Sequence, residues 1–152
     1  MRVLDDLDGL AELAGEELGT SEWLEIDQER VNLFADATGD HQWIHVDVER
    51  AKAESPFGGP IAHGFMTLSL LVPLASGTYK VTDAKMGVNY GLNKVRFPAP
   101  VPVGSKIRAR VVLQDCQPID GGVQNTFAIT IEREGSEKPV CIAEWVGRTY
   151  GG

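Results

Sequence analysis

Asp40 and His45 stand five residues apart in Thr38-Gly39-Asp40-His41-Gln42-Trp43-Ile44-His45, and a second pairing, Pro60-Ile61-Ala62-His63-Gly64, follows downstream. A carboxylate and an imidazole on one short loop can take a proton from water and deliver one to a substrate atom. Each such group typically contributes about 10²–10⁴-fold in rate. Gly64 offers something different. It opens an apolar stretch that reads as a helix, and the first N–H groups of a helix have no internal acceptor and carry partial positive charge. With no side chain at Gly64, a carbonyl oxygen can approach that N–H closely. Loss of one such donor typically costs about 3–4 kcal/mol of transition-state stabilisation. His63 is expected to brace the helix start or to bond nearby backbone. His41, between polar neighbours, reads as a surface residue. No Cys/His spacing supports zinc, and a metal site from His41, His45 and His63 is not expected.

These residues need elements to hold them. Asp27 has the form of a helix N-cap and Glu29 suits the first turn. Val31, Phe34 and Ala35 give one apolar helical face, and Gly39 is a stop signal. Asp40 to Val46 then reads as a polar loop, and Asp47 as the cap of a second short helix ending before Ser55-Pro56. Pro56-Phe57-Gly58-Gly59-Pro60 cannot be regular structure. Gly64 to Ser76 is apolar on nearly every side, so it must be wrapped by other structure, with Phe65, Leu68, Leu71 and Val72 in the core. Leu4 to Leu18 reads as an acidic helix interrupted by glycine, and Ser21 to Ile26 as a first strand.

From Val88 onward the sequence changes to strands: Val88–Phe97, Lys106–Gln114, Val123–Glu132 and Val140–Thr149, separated by Pro- and Gly-rich turns. Helices followed by a run of strands is an α+β order, not the alternation of a parallel sheet. A long antiparallel sheet curled around one apolar helix buries Phe65–Ala75 most simply. The 152 residues suit a single domain spanning 1–152. A net charge of -8 argues against non-specific nucleic-acid binding. The longest apolar stretch contains Pro73 and is too short for membrane insertion. The acidic N-terminus has no apolar leader, and Cys116 and Cys141 read as buried thiols, so a cytoplasmic location is expected.

The two catalytic-looking segments resemble the MaoC-like hydratase signatures. The first is similar to Gly/Ser-Asp-x-Asn-Pro-Ile/Leu-His and the second to Pro-Ile-x-His-Gly, which in that family opens the central helix of a hot-dog fold. Val95-Arg96-Phe97 and Pro100-Val101-Pro102-Val103-Gly104 add to the match, which covers about residues 25 to 150. The resemblance implies (R)-specific hydration of trans-2-enoyl-CoA to (R)-3-hydroxyacyl-CoA, and the reverse dehydration. It implies Asp40 and His45 as the acid–base pair, the Gly64 amide on the thioester oxygen, and a homodimer with the acyl pocket near the subunit boundary. No cofactor is expected, since coenzyme A is part of the substrate. Gln42 and Trp43 depart from the family's Asn and Pro, and are expected to alter loop shape or acyl specificity. Phe57, Gly58 and His63 join them as substrate-binding candidates.

Charge adds a further expectation. Between Ala84 and Gln114 lie Lys85, Lys94, Arg96, Lys106, Arg108 and Arg110, with no Asp or Glu. In an acidic chain this is a landing place for coenzyme A phosphates, with Lys94 and Arg96 the contacts chosen, or simply the solvated side of a half-exposed sheet. Two other functions fit a hot-dog fold: an acyl-CoA thioesterase, and a non-catalytic acyl-CoA-binding subunit of a hydratase pair. Phe65 to Ala75 carries no carboxylate, against the first, and both Asp40 and His45 are present, against the second.

Overall fold

The computed structural model describes residues 1–151. The chain runs β1 (Arg2–Leu4), α1 (Leu7–Ala11), β2 (Glu17–Thr20), β3 (Leu24–Glu25), α2 (Gln28–Thr38), α3 (Trp43–Val46) and α4 (Val48–Glu54). It continues with α5 (Gly64–Ser69), α6 (Leu71–Ser76), β4 (Tyr79–Val81), β5 (Ala84–Arg96), β6 (Lys106–Ile119), β7 (Gly122–Arg133) and β8 (Cys141–Gly151). The main sheet has the order β2-β6-β7-β8-β5, with β3 also on β6, and all its pairings are antiparallel. β1 and β4 form a separate parallel pair.

Strict alternation writes one face of this sheet. Ile107, Ala109, Val111 and Leu113 of β6 are buried, as are Val123, Phe127, Ile129 and Ile131 of β7 and Cys141 and Ala143 of β8. Successive strand side chains point to opposite faces, so these form one apolar surface. Met66, Leu71, Leu74 and Ala75 from α5 and α6 complete the same cluster. The result is the expected α+β hot-dog arrangement, with a sheet curled over a helical rod.

The rod is not the continuous helix expected over 64–76. It divides at Leu70, and Pro73 supplies the reason. Proline has no N–H for the carbonyl four residues back, and its ring clashes with that carbonyl, here Ser69. Restarting the helix at Leu71 puts Pro73 in a first turn, where no intrahelical N–H is needed. Nor is the rod wrapped on every side. Leu71 is buried and Leu68 and Val72 are half-buried, but Phe65 is 71% exposed. At the N-terminal end, the expected long helix is the short α1 between β1 and β2, and only Leu24–Glu25 of Ser21–Ile26 is strand. Cys141 is buried, Cys116 half-buried, and both are free thiols. Burial pushes the Cys141 thiol up to about 11, so it is protonated at neutral pH. Among the described residues, no helix is long and apolar enough to cross a membrane.

Candidate active site

α2 brings the chain to the site. The Asp27 carboxylate accepts the Arg30 N–H at 2.8 Å, a cap of a kind that contributes about 1 kcal/mol. Val31 and Ala35 are buried on its inner face, with Phe34 half-buried beside them. Gly39 ends the helix in the left-handed conformation (φ 82°) and donates to the Ala35 carbonyl. The chain therefore turns sharply just before Asp40, which is exposed.

The segment after Asp40 is not wholly loop. Trp43–Val46 forms the one-turn helix α3, and this turn swings His45 into the protein, where it is only 6% exposed. The departures from the family pattern now have a physical reading. Trp43 is the first residue of α3, a position where proline is well suited, and Gln42 has the extended backbone (φ -57°, ψ 138°) that a following proline requires. The loop keeps that geometry without the proline. The Arg50 guanidinium lies over the Trp43 ring at 4.2 Å, fixing it against α4. Gln42 is exposed.

His45 is held from three directions. Its Nδ1 lies 2.7 Å from the Ile61 carbonyl. A carbonyl can only accept, so Nδ1 carries the proton and Nε2 keeps its lone pair. The Gln28 side-chain N–H donates to the His45 carbonyl at 2.8 Å, tying α3 to the start of α2. The His63 ring stacks on the His45 ring at 3.9 Å. Burial lowers the His45 pKa below 6.5; the Ile61 bond acts the other way, the His63 ring lowers it further, and Asp40 raises it. His45 is thus a neutral base at pH 7.

His63 is 2% exposed. Its Nε2–H donates to the Asp40 backbone carbonyl at 2.9 Å, and Phe34 packs on it at 4.9 Å. One atom from each of Asp40, His45 and His63 lies within 4.8 Å of the others. Such a trio could be read as a cation site, but the two rings are only 24° from parallel. Imidazole lone pairs lie in the ring plane, so stacked rings cannot converge on one ion. One nitrogen of each ring also already faces a carbonyl.

Gly64 is the first residue of α5, so its N–H has no intrahelical acceptor. A Cβ at this position would lie 3.2 Å from the Phe97 ring. Gly64 and Phe97 line a cavity of about 450 Å³ together with Phe57, Ile61, Ala62 and Thr67. Backbone pairing fixes the segment before α5. The Ile61 N–H reaches the Ile44 carbonyl, and the Ala62 N–H the Val101 carbonyl. Gly58 is exposed in the loop beside Phe57. Another cavity, of about 380 Å³, lies at the far end of α6 around Tyr79, Phe127 and Trp145, away from Asp40 and His45.

The basic residues do not gather in one place. Lys94 and Arg96 are exposed on β5, next to Phe97. Lys106, Arg108 and Arg110 lie on β6, separated from β5 by β7 and β8. Glu132 pairs with Arg108 at 3.0 Å and Arg110 at 4.0 Å, and Arg108 also stacks on Trp23. The β6 stripe is therefore a solvated sheet face with its own counter-ion. His41 is exposed as expected, 2.9 Å from Asp36.

Asp40, His45 and His63 thus come together, with Gly64 next to His63 in the chain, while Lys94 and Arg96 are exposed on β5 and do not line the Gly64 cavity. Sequence reasoning missed Gln28 and Phe34 as supports. Neither carries a motif, because each acts through contacts with residues distant in the chain.

The family model for the MaoC like domain matches residues 10–134. The chain belongs to the MaoC-like family. It is 58% identical over 149 residues to the 3-hydroxyacyl-thioester dehydratase Z of Mycobacterium tuberculosis, covering 97% of this chain and 98% of that one. Among solved structures, it is similar to the monoamine oxidase regulatory protein from Archaeoglobus fulgius, with TM-score 0.80 and 23% identity over 99% of this chain and 97% of that one. The (R)-hydratase from A. caviae involved in PHA biosynthesis matches with TM-score 0.70 and 23% identity, over 88% and 94% of the two chains. At that identity these structures establish the shared fold.

Proposed function

We propose that this MaoC-like chain is a hydro-lyase that adds water to trans-2-enoyl-CoA, giving (R)-3-hydroxyacyl-CoA, and catalyses the reverse dehydration. The observation that carries this reading is the buried His45 ring, whose Nδ1–H is committed to Ile61, which leaves Nε2 basic, and which shares a cluster within 4.8 Å with the Asp40 carboxylate. The 58% identity to a protein named a 3-hydroxyacyl-thioester dehydratase supports it.

In the hydration direction, Asp40 and His45 hold a water. As its oxygen bonds to C3, one of the pair takes its proton, and a proton is delivered to C2. Charge that develops on the thioester oxygen meets the Gly64 N–H. The elements of water are added with no change of redox state, so the step needs no redox cofactor, and coenzyme A belongs to the substrate. Phe57, Gly58, Gln42 and Trp43 border the acyl thioester, and Lys94 and Arg96 meet the coenzyme A phosphates beyond Phe97. The enzyme works in the cytoplasm in this reading. α5 and α6 contain no Asp or Glu, which leaves no carboxylate on the central helical rod to drive thioester hydrolysis.

Crotonyl-CoA and longer enoyl-CoAs are expected to lose their enoyl absorbance with no release of free thiol, and an (R)-specific hydroxyacyl dehydrogenase to oxidise the product. Release of CoA in place of hydration would instead make the protein a thioesterase.

We also infer that β5 is the edge of a homodimer. Every residue from Lys85 to Lys94 is exposed, including Met86 (55%), Val88 (43%), Tyr90 (59%) and Leu92 (43%). A 13-residue edge strand that exposes Met86, Val88, Tyr90 and Leu92 among polar neighbours is an association surface. Sedimentation is expected to give a dimer at micromolar concentration, and Tyr90→Lys with Leu92→Lys to shift it to monomer. A wild-type monomer at all concentrations would remove the inference.

A further inference from the structure

His63 lies where the two halves of the reacting pair meet, yet it does not itself need to touch substrate. Its side chain is buried, packed against Phe34 of α2 and stacked on His45 of α3. Its Nε2 reaches the Asp40 carbonyl at 2.9 Å. A carbonyl only accepts, so Nε2 is the protonated nitrogen. The remaining nitrogen, Nδ1, is buried without a hydrogen-bond partner. A buried polar atom left unpaired opposes folding, so what the residue contributes lies in its other contacts.

Those contacts define a clamp. Asp40 is exposed on a turn that follows Gly39. Asp40's own bonds to neighbouring residues are long: its N–H to the Thr38 hydroxyl and the Gln42 N–H to its carboxylate, both 3.4 Å. The His63 bond is the short one. It fixes the Asp40 backbone to the same ring on which His45 rests, so the separation of carboxylate and imidazole is set by one rigid side chain rather than by the loop. We propose that His63 is a positioning residue that registers Asp40 against His45 through its Nε2–H bond to the Asp40 carbonyl and its stack on the His45 ring. This rests on the hydratase reading for the reaction it serves, although the clamp itself is a statement about the free protein.

Two amides separate the bond from the ring. The terminal nitrogen of glutamine falls near the position of imidazole Nε2, that of asparagine near Nδ1. His63→Gln therefore keeps a donor for the Asp40 carbonyl, whereas His63→Asn stops short of it. Both lose the ring and carry the same polar group, so a merely structural need for a histidine would affect them alike. His63→Asn is expected to lower kcat at least tenfold with KM changed by less than about twofold, because orientation and not binding is lost. His63→Gln is expected to recover kcat to within about threefold of wild type. Equal activity in the two variants, whether high or low, overturns the proposal.

The wild-type protein provides a second test that needs neither variant to fold. Two-bond ¹⁵N–¹H spectra of the histidine rings are expected to show His63 as the Nε2–H tautomer and His45 as the Nδ1–H tautomer. A His63 ring protonated on Nδ1 alone overturns the clamp. An inactive wild-type enzyme with the expected tautomers would instead fail the hydratase reading and leave the clamp in place.

Discussion

Substituting His45 by Asn is expected to lower kcat by roughly 10²–10⁴-fold while leaving the fold intact. The choice of Asn follows from the geometry. Its side-chain N–H falls near imidazole Nδ1 and can still donate to the Ile61 carbonyl, the bond His45 makes at 2.7 Å. What disappears is Nε2, the only basic atom of that ring. Retained thermal stability with lost turnover would separate chemistry from structure, and turnover within a few-fold of wild type would remove His45 from the reaction. The pH dependence follows with a definite sign. Burial, together with the His63 ring, holds the His45 pKa below 6.5 against the opposing effects of Ile61 and Asp40. The neutral form therefore persists below the usual range, and kcat/KM falls off on the acid side only below pH 6.5. Stability follows the same group. The unfolded chain binds the proton more readily, so the His45 contribution is fully present above pH 6.5 and is lost as pH falls through the folded value. His45→Asn is expected to flatten the stability profile in that window. His41, raised by its bond to Asp36, acts in the opposite sense in both proteins and cancels from the comparison.

Local physics made much of this architecture legible in advance. Asp27 and Gly39 mark the ends of α2 by capping chemistry that needs no tertiary information. The alternation in β6 and β7 reports one buried face directly. The errors arose where a residue's behaviour depends on what lies across space. Phe65 reads as core because the segment around it is apolar, but its side of α5 is not covered within one chain. Lys94 and Arg108 read as one basic region because they are near in sequence, yet β7 and β8 intervene. The site divides in the same way. Asp40, His45 and Gly64 were visible as types at a spacing. The Ile61 carbonyl that sets the His45 tautomer is invisible in sequence, because a backbone acceptor has no residue identity. The division of the rod at Pro73 was legible in principle, since a proline in an apolar helix always leaves one carbonyl to be accommodated.

Asp40→Asn probes whether the two residues act together or separately. Asparagine keeps the backbone carbonyl that receives the His63 N–H and a side-chain oxygen for the Gln42 N–H, so it removes charge and little else. Asp40 is exposed, and the change is expected to shift stability by no more than about 0.5 kcal/mol. Turnover is expected to fall by roughly 10²–10⁴-fold. The acid limb of the residual activity is expected to move lower, because the Asp40 charge is one of the influences that raises the His45 pKa. The decisive comparison is the double variant. Two independent contributors would multiply their losses. If Asp40 and His45 hold one water and share one proton transfer, either single change already forfeits the step, and Asp40→Asn/His45→Asn falls no further than the worse single variant. Losses that multiply would mean that the carboxylate acts elsewhere, for example in binding the thioester.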